Sequence, residues 1–296
     1  MIRVGAAGWS YRDWEGVVYP AHKPRGFHGL EFLQRFTDVM EVNSSFYAMP
    51  RAEHAARWVE LTERPPERAA FHFTAKLHQG FTHGPHLMGA ELELAARTFA
   101  DGVEPLRASG RLAALLAQFP VSFLRTSAAE GRLEDLCSVF RGWPLAVELR
   151  HKSWFEPEAL AFLRARGVSL LHIDLPSAAD HPPRRFAATG RLGYLRLHGR
   201  NSRQWFRKGA GRDARYDYLY GTRELDQLQA TALELEQEHA EVYVVSNNHF
   251  EGQAVANAIE LRARLSGAQV PAPAELVARY PSLRDFTRPS GQQSLF

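Results

Sequence analysis

Short apolar runs alternate with longer amphipathic ones eight times along this chain, and no other property of the sequence restricts the fold as much. The strand candidates are Ile2–Ala7, Val39–Asn43, Phe71–Lys76, Leu112–Gln118, Leu145–Arg150, Ser169–Asp174, Leu192–His198 and Glu241–Asn247. Between them the clearest helical segments are Ala52–Thr62, Ala90–Leu106, Ser127–Phe140, Pro157–Arg166, Arg223–His239 and Gly252–Leu265. Strands separated by helices pair in parallel, and near-continuous apolar strands imply helices packed around them. Eight units favour an α/β fold closed as a single (β/α)₈ TIM barrel over an open doubly wound sheet. The 296 residues suffice, since such barrels need roughly 250. No Gly-x-Gly-x-x-Gly follows the first strand, which weighs against a dinucleotide site. The sixth unit lacks a helix-like segment. Pro176–Pro183 reads as loop, so the barrel is expected to be irregular there. One barrel domain over 1–286 and a flexible tail over 287–296 is the expected organisation.

Composition removes several classes. With 45% hydrophobic and 23% charged residues the chain is not disordered throughout. A formal charge of +3 is too slight to imply nucleic acid unless it is locally concentrated. Cys137 stands alone, so neither an internal disulfide nor a thiolate zinc site can form; beside Leu136 it reads as a small core hydrophobe. The N-terminus enters a strand at once, with no basic stretch and apolar core of a signal peptide. The longest apolar run, 112–119, is too short to span a bilayer. No membrane partner and a cytoplasmic location are expected.

Strand parity points to a site. Residues two apart on a strand share a face. Glu41 and Asn43, Glu148 and Arg150, and Arg196 and His198 therefore pair up, while Val42, Leu149 and Leu197 face the helices. Lys76, Gln118, Asp174 and Asn247 end four other strands. Polar strand ends are ordinary, but Glu and Arg inside a run such as Ala-Val-Glu-Leu-Arg are not. Barrel enzymes carry their chemistry at these C-terminal ends, so a charged pocket is expected there.

The chain also resembles the YecE-like proteins, or DUF72 family. The shared pattern is Gly8-Trp9-Ser10-Tyr11 with Trp14, Gly16 and Tyr19-Pro20; Glu41-Val42-Asn43-Ser44-Ser45-Phe46-Tyr47; and Phe73 to Lys76 followed by Thr82-His83. It continues with Gln118-Phe119-Pro120, Glu148-Leu149-Arg150-His151 with Ser153-Trp154, Arg196-Leu197-His198-Gly199-Arg200, and Asn247-Asn248-His249. Seven pieces in order are specific where each alone is weak. Ser45 departs from the usual Thr but keeps the hydroxyl. The resemblance implies a TIM-like barrel and assigns no reaction.

The expected mouth gathers Glu41, Glu148 and Asp174 with Lys76, Arg150 and Arg196, and His198 adds a group that ordinarily titrates near neutrality. Two chemistries compete. In one, the cations clamp an anionic substrate, with Glu41 and Glu148 as candidate acid and base, His198 as the alternative proton donor and Asp174 as a further candidate. In the other, the carboxylates and His198 hold a divalent metal that activates water. Three cations in one mouth oppose a bare metal, so the metal-free chemistry is favoured and no metal ligand is assigned. Buried ion pairs that only close the barrel are the bland alternative. Gln118, Asn43, Tyr47, Trp9, Asn247 and Asn248 join Lys76, Arg150 and Arg196 as candidate substrate contacts. His78, His83 and His86 sit on a Gly- and Pro-containing loop with no preset ligand geometry.

From Arg196 to Arg215 seven Lys or Arg stand against one acid, Asp213; Trp205 and Phe206 interrupt them, and Tyr216, Tyr218 and Tyr220 follow. Cations interleaved with rings suit a flexible polyanion, although a solvated loop packed on the rim fits equally. The expected function is a barrel enzyme acting on an anionic small molecule or nucleic acid, foremost a phosphoester hydrolase. A non-catalytic nucleic-acid-binding or adaptor protein and a sugar or small-acid isomerase or lyase are the alternatives.

The chain ends Gln292-Gln293-Ser294-Leu295-Phe296, after the Pro- and Gly-containing stretch 287–291. These residues are similar to the short motif with which bacterial replication and repair proteins dock on the sliding clamp, with Gln293 in place of the usual Leu. Gln292, Leu295 and Phe296 are the matching contacts; folding back on the barrel is the alternative. A labelled peptide of residues 287–296 is expected to bind a bacterial clamp at micromolar concentration. Binding indifferent to Leu295→Ala and Phe296→Ala, or absent at high micromolar clamp, ends the idea.

Overall fold

The computed structural model describes residues 1–63 and 69–289. Its main sheet contains β1 (Ile2–Ala7), β2 (Val39–Val42), β3 (His72–Lys76), β4 (Leu112–Gln118) and β5 (Leu145–Glu148). It continues with β6 (Ser169–Leu170), β7 (His172–Asp174), β8 (Gly193–Leu197) and β9 (Val242–Ser246). Every pairing is parallel. β6 pairs with β5 and β7 with β8, and only Leu171 separates the two segments. They are therefore one stave interrupted once, and the ring of eight closes.

Alternation along the strands sorts two cores. Inward, Val39, Ala114, Leu116, Ala146, Leu171, Tyr194, Tyr243 and Val245 fill the barrel. Outward, Val42, Phe73, Leu115 and Val147 pack beneath one group of helices, and Val4, Leu195, Leu197 and Val244 beneath another. Burying a side chain such as Phe73 contributes about 1.5–3 kcal/mol. The main outer helices are Ala52–Leu61, Gly89–Ala108, Ser127–Val139, Pro157–Ala165, Thr222–Glu238 and Gln253–Ser266. Gly102 lies inside the second of these because a Cβ there would sit 2.2 Å from the Pro50 carbonyl oxygen. Between Asp174 and Gly193 no helix or strand forms, as expected for the sixth unit.

Asn43, Arg150, His198 and Asn247 lie just beyond their strands rather than within them. Asn43 adopts helical angles and starts the short helix Ser44–Tyr47. Thr287–Pro289, expected to begin the flexible tail, instead forms β11 and pairs with β10 (Val270–Ala272). Three residues are too few for periodicity to reveal. The clamp-like residues Gln292, Leu295 and Phe296 lie outside the described residues. Among the described residues no helix is long and apolar enough to cross a membrane.

Candidate active site

Arg196, in the middle of β8's inward face, is 1% exposed. Its Nε and Nη2 donate to the two oxygens of Glu41 on β2, at 3.0 and 2.6 Å. Its Nη1 donates to Glu148 on β5 at 2.8 Å and reaches Gln118 on β4 at 3.4 Å. Glu41 also accepts from the Tyr194 hydroxyl at 2.8 Å. Glu148 also accepts from Arg150 Nε at 2.6 Å. Two buried carboxylates thus balance two guanidiniums. Burial alone would raise the Glu148 pKa, but Arg150, His198 and Arg196 hold it well below the usual carboxylate range. Burial also opposes the Arg196 charge, yet Glu41 and Glu148 push its pKa well above the ordinary value.

His198 closes this cluster. Asn247 Nδ2 lies 3.2 Å from its Nδ1, and its Nε2 faces the Glu148 carboxylate at 3.3 Å together with Arg196 Nη1 at 3.4 Å and Arg150 Nη2 at 3.5 Å. Burial lowers its pKa to about 4 against the pull of Glu148, and Arg150 and Arg196 act in the same direction as burial. The ring is neutral at neutral pH.

Above the cluster lies a small cleft of about 80 Å³. Lys76, Arg196 and Arg212 border it with the amides of Asn43, Gln118 and Asn247 and the rings of Tyr11, Phe46, Tyr47, Tyr216 and His249. No Asp or Glu among the described residues lines it; Glu41 and Glu148 stand behind Arg196. Lys76 ends β3 with its Nζ 3.8 Å from the centre of the Phe46 ring, and that nitrogen makes no ion pair or hydrogen bond among the described residues. Burial, then Arg196, lowers its pKa to about 7 against the pull of Glu41 and Glu148.

Loops after β1, β8 and β9 roof the cleft. Tyr11 stacks on His249 with ring centres 4.5 Å apart, and Tyr216 lies 5.4 Å from His249 on another side. Trp14 Nε1 donates to the His249 carbonyl at 2.7 Å and pins the first loop to the last. His249 is 3% exposed, yet neither ring nitrogen has a hydrogen-bond partner among the described residues. Asp213, at 3.9 Å, is too distant. A buried polar atom left unpaired costs about 1–3 kcal/mol, so these nitrogens are natural ligand contacts.

Glu41, Glu148, His198, Lys76, Gln118, Arg150, Arg196, Asn43, Tyr47 and Asn247 therefore converge at the mouth. Three candidates do not. Asp174 alternates with Leu171 and Ile173, which face inward, so its carboxylate points out and accepts from Arg200 at 2.7 Å and Tyr220 at 2.7 Å. Asn248 follows Asn247 and takes the opposite face, where its amide donates to the Tyr218 carbonyl and to Asn257. Trp9 packs edge-on against Trp58, 5.4 Å away, in the outer core. Arg196 also differs from expectation, because its donors are already taken by carboxylates. Phe46, Arg212, Tyr216 and His249 were absent from the expected contacts; Phe46 and His249 belong to the family-like motifs, and Arg212 and Tyr216 to the basic aromatic stretch. His83 bonds to Thr82 and His86 to Asp135, while His78 caps a short helix. Among the described residues no three His, Cys, Asp or Glu side chains are placed to hold a metal ion.

Replacing Arg196 by Met leaves two buried carboxylates with fewer partners. Urea denaturation at neutral pH is expected to show a loss of about 3–5 kcal/mol, the cost of breaking a buried ion pair. A loss below about 1 kcal/mol, the range of exposed pairs, would show that the cluster is hydrated.

Comparison with known proteins places this geometry in a family. A family model described as "Protein of unknown function DUF72" matches residues 3–279. The UPF0759 protein YunF of Bacillus subtilis is 30% identical over 280 residues, covering 87% of this chain and 92% of that protein. A DUF72 family protein of Thermotoga maritima is 34% identical, with a TM-score of 0.77 over 90% of this chain and 99% of its own. Another, from Enterococcus faecalis, is 28% identical, with a TM-score of 0.77 over 90% and 96%. The motifs, the barrel and the family model agree over residues 3–279, and the chain belongs to the DUF72 family.

Proposed function

We propose that the barrel mouth is the active site of an enzyme that takes a small anionic substrate, one bearing a phosphate or a carboxylate. One observation carries this: the cleft is bordered by Lys76, Arg196 and Arg212 and by no carboxylate among the described residues. Ligand oxygens would meet Lys76 and Arg212, whereas Arg196 contributes mainly its field. Asn43, Asn247 and the unpaired nitrogens of His249 would orient the remainder of the substrate. Glu148 is held ionised and Glu41 is occupied by Arg196 and Tyr194, so neither supplies a proton; they position Arg196 and His198. Lys76 is the cleft group that can take or give a proton near neutrality. Phosphoester hydrolysis would use the cations to neutralise phosphoryl oxygens and neutral Lys76 to accept the proton of water.

Sulfate keeps one charge state across the neutral range, which makes it a suitable calorimetric probe. Its affinity is expected to fall between about pH 6 and about pH 8.5 as Lys76, titrating near 7, loses its charge. Lys76→Arg should flatten that dependence, and Lys76→Met or Arg212→Ala should weaken binding by about 1.5–3 kcal/mol. Affinity independent of pH and of both residues would remove the anion site.

The basic stretch supports a second partner. Arg203, Arg207 and Lys208 are exposed and make no ion pair among the described residues, and Phe206 beside them is 54% exposed. Such a surface suits single-stranded nucleic acid, which would lead a phosphate-bearing end toward the cleft. Neutralising the three together is expected to reduce the log–log salt slope of single-strand binding by about 2. An unchanged slope would confine the protein to small substrates.

A further inference from the structure

Arginine supplies nearly all the positive charge of this chain. Of its 36 basic side chains only Lys23, Lys76, Lys152 and Lys208 are lysines. Lys23 pairs with Glu15, Lys152 with Asp180, and Lys208 is exposed. Lys76 alone points into the barrel, and it alone borders the cleft. A clamp for anions needs no lysine where arginine is used everywhere else; the guanidinium is the better fork for carboxylate and phosphate. What lysine offers instead is an amine that can lose its proton and attack carbon.

We propose that Lys76 Nζ is a nucleophile that condenses with the carbonyl carbon of a small oxo acid seated in the cleft, forming an imine. The geometry supports each part. The amine has no carboxylate partner among the described residues to hold it as an ammonium, and it borders the cleft beside the Phe46 ring. Arg212 stands on the same cleft to receive the acid group, with the field of Arg196 behind it and Asn43 and Asn247 to orient it. The volume of about 80 Å³ holds roughly two to three waters, so the reacting portion of the ligand is a few heavy atoms. In the condensation the nitrogen lone pair forms the C–N bond and the carbonyl π pair moves to oxygen. Both amine hydrogens then leave with that oxygen as one water, so no oxidant or other reactant is required. Protonation of the imine places a cation where the ammonium had been, over the Phe46 ring, which attracts either one.

The protonation state agrees. At a pKa of about 7 a large share of Lys76 is free base at neutral pH, against roughly one in a few thousand for a solvated lysine. The second reactant binds because the lining is cationic, so the imine rests on the anion site proposed above. It selects, among reactions on small anions, those that pass through an enamine: isomerisation, aldol-type cleavage or decarboxylation beside a carbonyl.

The test is reductive trapping. Full-length protein is incubated with pyruvate and sodium borohydride, and peptides are mapped by mass spectrometry. One reduced pyruvyl group on Lys76 is expected, exceeding labelling of Lys23, Lys152 and Lys208 by more than about tenfold, since of the four only Lys76 borders the cleft that gathers the anion. Sulfate should suppress it, and Lys76→Arg should abolish it. Labelling spread evenly over the four lysines overturns the proposal, as does absence of an adduct while calorimetry shows pyruvate displacing sulfate. In the latter case the anion site stands and only the nucleophile falls. If sulfate binds and pyruvate does not, the oxo-acid assignment is overturned; if neither binds, the anion site fails as well.

Discussion

Arg196 carries a positive charge into the barrel with 1% of its surface exposed, and the arrangement of the mouth follows from stabilising it there. Removing an ion from water costs several kcal/mol, recovered only where carboxylates meet it at hydrogen-bond distance. Glu41 comes from β2, Glu148 from β5 and Gln118 from β4, so one guanidinium bonds across the ring to three other strands. The cluster also fixes register. A slip of one residue along β8 would turn Arg196 under the helices and bring Leu195 or Leu197 among the carboxylates. Such a network contributes less to net stability than apolar filling would; its consequence is a single permitted alignment.

The same balance decides what the cleft presents. Glu41 and Glu148 turn their oxygens toward Arg196, Arg150 and Tyr194, so the charge facing the opening belongs to Lys76 and Arg212. Lys76 is attracted by both carboxylates and repelled by both guanidiniums, while burial favours its neutral form. Its amine is consequently poised where proton loss and charge retention are nearly equal. A carboxylate placed beside it would have fixed the ammonium and left a plain cation.

Much of this was legible in the sequence, and the gaps have physical causes. Eight apolar runs gave the staves, and parity within Glu148–Arg150 and Arg196–His198 brought the right side chains together. Asp174 was assigned by its place at a strand end rather than by its phase, and phase against Leu171 and Ile173 turns it outward. Asn248 is the same kind of error, one residue past a correctly assigned neighbour. Trp9 looked like a ligand platform because aromatic composition does not distinguish a stacking surface from a packed core. Arg212, Tyr216 and His249 reach the cleft from loops, where no periodicity reports direction. The pairing of β10 with β11 joins segments too short to carry a pattern.

Those loop residues complete the chemistry that the strands begin. Tyr11, His249 and Tyr216 lie against one another as a roof, and the Trp14 bond to the His249 carbonyl holds it down. By excluding water the roof deepens the burial that neutralises Lys76 and strengthens every charge contact beneath it. A condensation that releases water also gains from a site that admits little of it. The cleft is too small for a nucleotide, yet Tyr47 stands 62% exposed at its rim. A ligand can therefore leave its reacting group beside Lys76 and lay a larger remainder outward past Tyr47, toward the exposed cations of the stretch that follows β8.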